Sequence, residues 1–148
     1  MLLRALEPAD AIAFQALRLR ALQECPSAFA SSYEEERDTA PSEIEHRLRP
    51  EAGAAIFGAF QAGQLCAIVG LRREDQIKLS HKACIWGVYV SPGARGQGVG
   101  AQLMRMALDH AAARLHVRQV NLGVNTTNAA AIALYTKLGF AQFGCERG

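Results

Sequence analysis

The sequence predicts an α/β fold, a mixed central β-sheet flanked by helices, and three observations carry that expectation. Short apolar runs of strand composition are interleaved with segments of helical spacing. Two of those runs are joined by a short glycine-bearing connection, and a longer one ends in a glycine-rich turn that leads straight into a helical pattern. No internal repeat or low-complexity linker interrupts the 148 residues, so one domain over 1–148 is expected. A chain of that length buries roughly 68–70% of its unfolded surface, enough for a core without metals or disulfides.

Residues 2–6 (LLRAL) read as an opening strand, and Pro8 stands where a first helical turn tolerates it. Residues 9–23 form a helical pattern through Ile12, Leu17, Leu19 and Leu22, with Ile12, Ala16 and Leu19 as its cleanest stripe. Pro26 stops it. Ser32 is placed as a helix cap before the acidic run Glu34, Glu35 and Glu36, and Pro41 opens a second helix. Apolar runs at 54–60 and 65–71 flank Gln61-Ala62-Gly63-Gln64, a hairpin signal. Residues 79–90 are expected as a long central strand, ended by Pro92 and Gly93. A helix over 99–113 follows, with Leu103, Met106, Ala107 and His110 on one side. Then come a strand at 117–124, a helix at 128–138 capped by Gly139, and the start of a last strand at 140–143.

Half the residues are hydrophobic and 20% are charged, a balance that argues against disorder and against a nucleic-acid tail. The net charge is +2, but it is unevenly spread. Residues 1–60 carry six Arg or Lys against ten Asp or Glu, whereas residues 91–148 carry six against two. One half therefore favours a cationic ligand and the other an anionic one, if the charges converge in space. Cys25, Cys66, Cys84 and Cys145 form no closely spaced pair, and His46, His110 and His116 have no ligand spacing, so no metal is expected. No secretory leader or run of 18 apolar residues is present, which suggests a cytoplasmic protein with reduced thiols and no membrane partner.

The sharpest local signal is Val88-Tyr89-Val90 followed by Ser91-Pro92-Gly93-Ala94-Arg95-Gly96-Gln97-Gly98-Val99-Gly100 and then the helix. Strand, glycine turn and helix start direct several backbone N–H groups at one point, and the helix dipole adds to their field. That arrangement suits a phosphate or pyrophosphate. The spacing is not that of a dinucleotide-binding GxGxxG, and Gly100 is followed by Ala101 where a P-loop needs Lys-Ser/Thr.

Arg95-x-x-Gly98-x-Gly100 after a Val-Tyr-Val strand resembles the acyl-CoA pyrophosphate loop of the GCN5-related N-acetyltransferases (GNAT). Asn128-x-x-Ala131-x-x-Leu134-Tyr135-x-Lys137-Leu138-Gly139-Phe140 is similar to that family's asparagine-to-Leu-Gly-Phe helix. The resemblance implies the acyl-CoA N-acyltransferase fold and transfer of the acetyl group of acetyl-CoA to a primary amine by direct attack in a ternary complex. It implies that backbone groups of Val88, Tyr89 and Val90 bind the pantetheine arm. The pyrophosphate would fall to the amides of Arg95, Gly96, Gln97, Gly98, Val99 and Gly100, with Ala101 at the helix start and the Arg95 side chain as a second phosphate partner.

Under the same resemblance Tyr135 is the candidate general acid, since a phenol with pKa near 10 is protonated at neutral pH and can serve a leaving thiolate. It reads otherwise as a helix aromatic in a buried contact. Asn128 holds the cofactor arm or an ordered water, caps its helix, or does both. Relatives that act on N-terminal amines carry an acid in a Leu-Glu-Val strand where this chain has Leu122-Gly123-Val124, so the base is open among His81, one of Glu34 to Glu36, and water relay. Phe29, Tyr33 and Glu34 are the candidate lining of the acceptor site, and the acidic first 60 residues favour a cationic amine.

Only eight residues follow Gly139-Phe140, fewer than in relatives. The last strand is therefore expected to be incomplete or supplied by a second copy, which makes a homodimer one expectation. A non-catalytic acyl-CoA-binding module is the alternative function; it shares the cradle but has no need of Tyr135.

Overall fold

The computed structural model of the chain describes residues 1–24, 32–49, 54–73, 82–113 and 119–122. Along them run β1 (Leu2–Ala5), α1 (Ala11–Glu24), α2 (Tyr33–Glu36), α3 (Pro41–Arg47), β2 (Ala54–Gln61), β3 (Gln64–Arg73), β4 (Lys82–Val90), α4 (Val99–Ala113) and β5 (Gln119–Leu122). The strands make one sheet in the order β1-β2-β3-β4-β5. Neighbours from β1 to β4 are antiparallel, and β4 pairs with β5 in parallel, from Lys82↔Gln119 to Ile85↔Leu122. A parallel pair needs a crossover connection, and α4 lies in it. The mixed sheet flanked by helices is the architecture the sequence predicts; its expected final helix and strand, 128–138 and 140–143, lie outside the described residues.

The hairpin between β2 and β3 turns through Ala62 and Gly63 at φ +53° and +78°, with Gln61 paired to Gln64. Two successive positive φ values give the twist that matches a two-residue hairpin. The capping expectation at Ser32 also holds, for its hydroxyl accepts from the Glu35 N–H at 3.2 Å.

Strand β3 is the middle one of the five described strands and is buried without interruption from Leu65 to Leu71. One face meets α4: Val69 and Leu71 pack in a cluster with Leu103, Met104, Ala107 and Ala111. The other meets α1 and α3: Leu65 and Ile68 pack with Phe14, Leu17, Ala21, Ile44 and Leu48. The three layers enclose the sheet on both sides, which is why β3 shows no polar alternation.

Helix α1 corrects one expectation. The stripe Ile12, Ala16 and Leu19 is not its core face; Ile12 is 86% exposed, and the buried residues are Ala11, Phe14, Leu17, Arg18, Ala21 and Leu22. The periodicity misleads because the buried face contains an arginine in its middle, which hydropathy counts as polar. On α4 the core face is centred on Leu103, Met104, Ala107 and Ala111, with Met106 at its margin. His110 sits at the edge of that face with its ring 5.4 Å from Phe57.

Strand β4 does not keep a simple pleat. Gly70 on β3 opposes Trp86 while Ile68 opposes Tyr89, so β4 carries one residue more than β3 over the same span. The extra residue is accommodated at Gly87, whose φ of +63° is the left-handed conformation of a glycine bulge. Trp86 and Tyr89 consequently face the same side, against the α1 cluster. The Trp86 indole lies directly over Gly70, where a Cβ would come within 2.2 Å of the ring.

Replacing Gly70 with Ala should therefore displace Trp86 and cost about 1–3 kcal/mol by overpacking. Because Trp86 is the sole tryptophan, a shifted emission maximum together with a lower urea midpoint checks this directly.

Candidate functional site

The glycine loop is held at both ends before it reaches α4. Ser91 donates its backbone N–H and its hydroxyl to the Cys66 carbonyl at 2.8 and 2.9 Å, which ties the end of β4 to β3. A single 3-10 turn over Pro92–Ala94 follows. Ala94 and Val99 are buried at 2% and 3%, and both join the α4 cluster. Between these anchors Gly96 and Gly98 stand at φ +80° and +75°.

Among the described residues, a Cβ at either glycine would meet nothing within 4 Å. The requirement for glycine is thus conformational: the left-handed region costs other residues roughly 1–2 kcal/mol. The first hydrogen bond of α4 runs from the Gln102 N–H to the Gly98 carbonyl at 3.1 Å. Amides of Val99, Gly100 and Ala101 precede it, at the positive end of the helix dipole. Glycine backbone and helix start thus lie together, with no described atom within 4 Å of where a Cβ at Gly96 or Gly98 would stand.

Among the described residues β5 pairs with β4 only as far as Ile85. Val88 and Val90, half-buried, pack toward the α4 cluster, and Tyr89 is buried on the opposite face. The bulge and the loop lie on consecutive stretches of chain, so the expected arm-binding residues and the expected phosphate-binding residues are contiguous.

The Tyr89 side chain adds something the sequence reading did not assign. Its hydroxyl donates to the carboxylate of Glu24, the last residue of α1, and the same carboxylate accepts from Nη2 of Arg95. Arg95 also donates Nε–H to the Val90 carbonyl at 2.9 Å and lies 5.7 Å from the Tyr89 ring centroid. The Tyr89 hydroxyl, and after it Arg95, holds the Glu24 carboxyl below the ordinary carboxylate range. A lowered folded pKa means the link is fully formed above the usual glutamate value and is lost only as pH falls through the lowered one. One signal of Glu24 was present in the sequence: an acid at a helix C-terminus opposes the dipole there and calls for a compensating cation.

A second polar link crosses the same face. Arg18 pairs with Glu36 through Nε and Nη2, each at 3.1 Å, with both side chains about nine-tenths buried. Its guanidinium carbon is 5.8 Å from the Trp86 ring centroid. A Cβ on Gly87 would lie 3.2 Å from Arg18 Nη1, so the cation reaches the bulge itself. Glu36 is therefore not a solvated member of the acidic run; it is committed to Arg18. Glu34 and Glu35 are exposed and Tyr33 is half-buried.

Phe29, His81, Asn128 and Tyr135 lie outside the described residues. Cys66 is buried, and burial pushes its thiol pKa up, away from reactivity. Among the described residues no group of three His, Cys, Asp or Glu side chains is placed to hold a metal ion, and no helix is long and apolar enough to cross a membrane. An open depression of about 370 Å³ is lined by Leu17, Arg20, Gln61, Gln64, Leu65 and Ala94, among others. Neither Tyr33 nor Glu34 lines it.

Residues 18–140 match the acetyltransferase (GNAT) family. The chain is 33% identical over 90 residues to the N-alpha-acetyltransferase RimI of Mycobacterium tuberculosis, covering 61% of this chain and 54% of that protein. It is 30% identical over 121 residues to a mycothiol acetyltransferase of Salinispora tropica, covering 80% and 39%. The chain thus spans about half or less of the length of these curated relatives. Among solved structures, a GNAT-family acetyltransferase from Streptococcus pneumoniae superposes with a TM-score of 0.84 at 25% identity, over 97% of this chain and 86% of that one.

Breaking the buried pair tests its structural role. Glu36→Gln should destabilise the fold by about 3–5 kcal/mol, since it leaves a buried guanidinium without its counter-charge. The double replacement Arg18→Met with Glu36→Leu should cost less than the sum of its single steps, read from urea denaturation midpoints.

Proposed function

Because the chain belongs to the acetyltransferase (GNAT) family, we propose that it transfers the acetyl group of acetyl-CoA to a primary amine by direct attack within a ternary complex. The observation that carries this reading is the loop at the start of α4, with Gly96 and Gly98 both in the left-handed region and no described atom within 4 Å of where their Cβ atoms would stand. A pyrophosphate there meets backbone N–H groups and a helix dipole, without a Cβ in its way. The glycine bulge at Gly87, immediately before Val88, supports the companion assignment of the arm to the backbone of Val88, Tyr89 and Val90, because a bulge re-aims strand N–H and C=O groups out of their ladder. The family match over 18–140 supports reading 1–148 as one domain.

The thioester supplies an already activated acyl group. What the protein must contribute is placement of the amine against it, a donor for the carbonyl oxygen as charge gathers there, removal of one proton from nitrogen, and delivery of one to the departing thiolate. In our reading backbone groups at the bulge polarise the carbonyl, and Tyr135 delivers the proton to sulfur. His81 or water takes the proton from nitrogen. Of the acidic run, Glu34 and Glu35 remain for the acceptor, since Glu36 is bound to Arg18. Together with Tyr33 and Phe29, Glu34 favours a cationic acceptor amine.

Calorimetric titration with acetyl-CoA, desulfo-CoA and ADP tests the cradle. Saturable binding is expected, and Gly98→Val should weaken it at least about tenfold, through the loss of about 1.4 kcal/mol or more of loop preorganisation. Absence of binding by the folded protein would defeat the proposal.

Tyr135→Phe separates catalysis from binding. Acetyl-CoA affinity should hold while kcat falls by about a hundredfold or more, the usual contribution of a positioned general acid. Unchanged turnover would remove Tyr135 from the mechanism, and binding without turnover in the unaltered protein across an amine screen would leave a non-catalytic acyl-CoA-binding module.

A further inference from the structure

Glu24 is where α1, β4 and the glycine loop meet. Its carboxylate takes the Tyr89 hydroxyl from β4 and Arg95 Nη2 from the loop. Arg95 in turn reaches the Val90 carbonyl at 2.9 Å and lies over the Tyr89 ring. A planar guanidinium held by a carboxylate, a main-chain carbonyl and a ring face is fixed in direction as well as position. The residue that follows is Gly96, at φ +80°, and Gly98 stands two further on. Glycines leave a loop its widest choice of conformations, so the direction of the N–H groups has to be selected from outside. Ala94 and Val99 fix the ends in the core. Between them, the described tie from the loop to other elements is Arg95.

We propose that Glu24 is a positioning residue for the acyl-CoA cradle: acting through Arg95 and Tyr89, it sets the loop conformation, and the Arg95 side chain is a strut and not a phosphate ligand. This rests on the acetyl-CoA site proposed above and adds to it a residue 71 positions away in the chain from Arg95. Glu24 and Arg95 also neutralise one another, so the attraction for pyrophosphate falls to the main-chain N–H groups and the helix start. The two roles of Arg95 differ in sign. Were its side chain a phosphate ligand, Glu24 would be a competing anion and removing it would tighten binding. As a strut, Arg95 loses its hold when Glu24 is removed, and binding weakens.

The test uses Glu24→Gln, Arg95→Gln and the double variant of the full chain. Each is titrated with acetyl-CoA, and amide hydrogen exchange over residues 93–101 is measured with no nucleotide present. Glu24→Gln and Arg95→Gln should each weaken binding about tenfold, the loss expected for one charge-assisted hydrogen bond. The double variant should be no weaker than the worse single one, because both replacements cut the same strut. Exchange over 93–101 should quicken in all three, and in turnover the acetyl-CoA KM should rise while kcat holds. Equal or tighter binding by Glu24→Gln, additive losses, or unchanged exchange would overturn the proposal. Should the unaltered protein fail to bind acetyl-CoA, the acetyltransferase reading falls, and the exchange measurement still decides whether Glu24 sets the loop.

Discussion

The arrangement of the whole α1 side of the molecule depends on one extra residue in β4. In a regular strand Trp86 and Tyr89, three positions apart, point to opposite faces. The bulge at Gly87 adds a step to the pleat, and both rings come to lie toward α1. Helix α1 answers them with Arg18 beside Trp86 and Glu24 on the Tyr89 hydroxyl. One helix thus meets both rings. A β-branched residue at position 87 would have to adopt a φ that L residues avoid, and the register that pairs helix with strand would be lost.

That geometry places polar groups in an otherwise apolar layer, among them Arg18 with its partner Glu36 and Tyr89 with Glu24. The Arg18–Glu36 pair lies beneath the turn of α2, with bonds at 3.1 Å from both nitrogens. A buried pair of this kind adds little net stability over an apolar substitute, but it is intolerant of losing either member. It therefore specifies where α2 sits on α1 more than it strengthens the contact. Glu24 works at the rim, where its side chain is 30% exposed and solvent screens it. Its significance is geometric, because it joins the end of a helix to a loop whose glycines cannot choose their own conformation.

On the opposite face the requirements are simpler. Val69 and Leu71 of β3 meet Leu103, Met104 and Ala107 of α4, and that contact presses the first turn of the helix against the sheet. Since Val99 belongs to the same cluster, the helix start is placed by core packing and not by the loop that precedes it. The cradle thus combines a rigid end supplied by burial with a permissive backbone supplied by glycine.

Much of this was legible in the chain itself. Apolar runs around Gln61-Ala62-Gly63-Gln64 announce the hairpin, Pro41 and Ser32 mark helix starts, and the succession Val-Tyr-Val, glycines and helix identifies the loop, because these features depend on local φ/ψ preferences and on spacing within about 15 residues. The glycine spacing, with the second motif at 128–140, was also enough to indicate the family. The α1 core face was not legible, since hydropathy cannot know that Arg18 will find Glu36 on α2 and be buried with it. Nor could spacing reveal that Gly87 is a bulge: an isolated glycine in an apolar run looks the same whether it is a weak point or a change of pleat. Glu24 shows the limit most clearly. Its partners are 65 and 71 residues away, and which of the charged residues meet is decided by how helix and sheet pack, a long-range outcome that the local pattern does not contain.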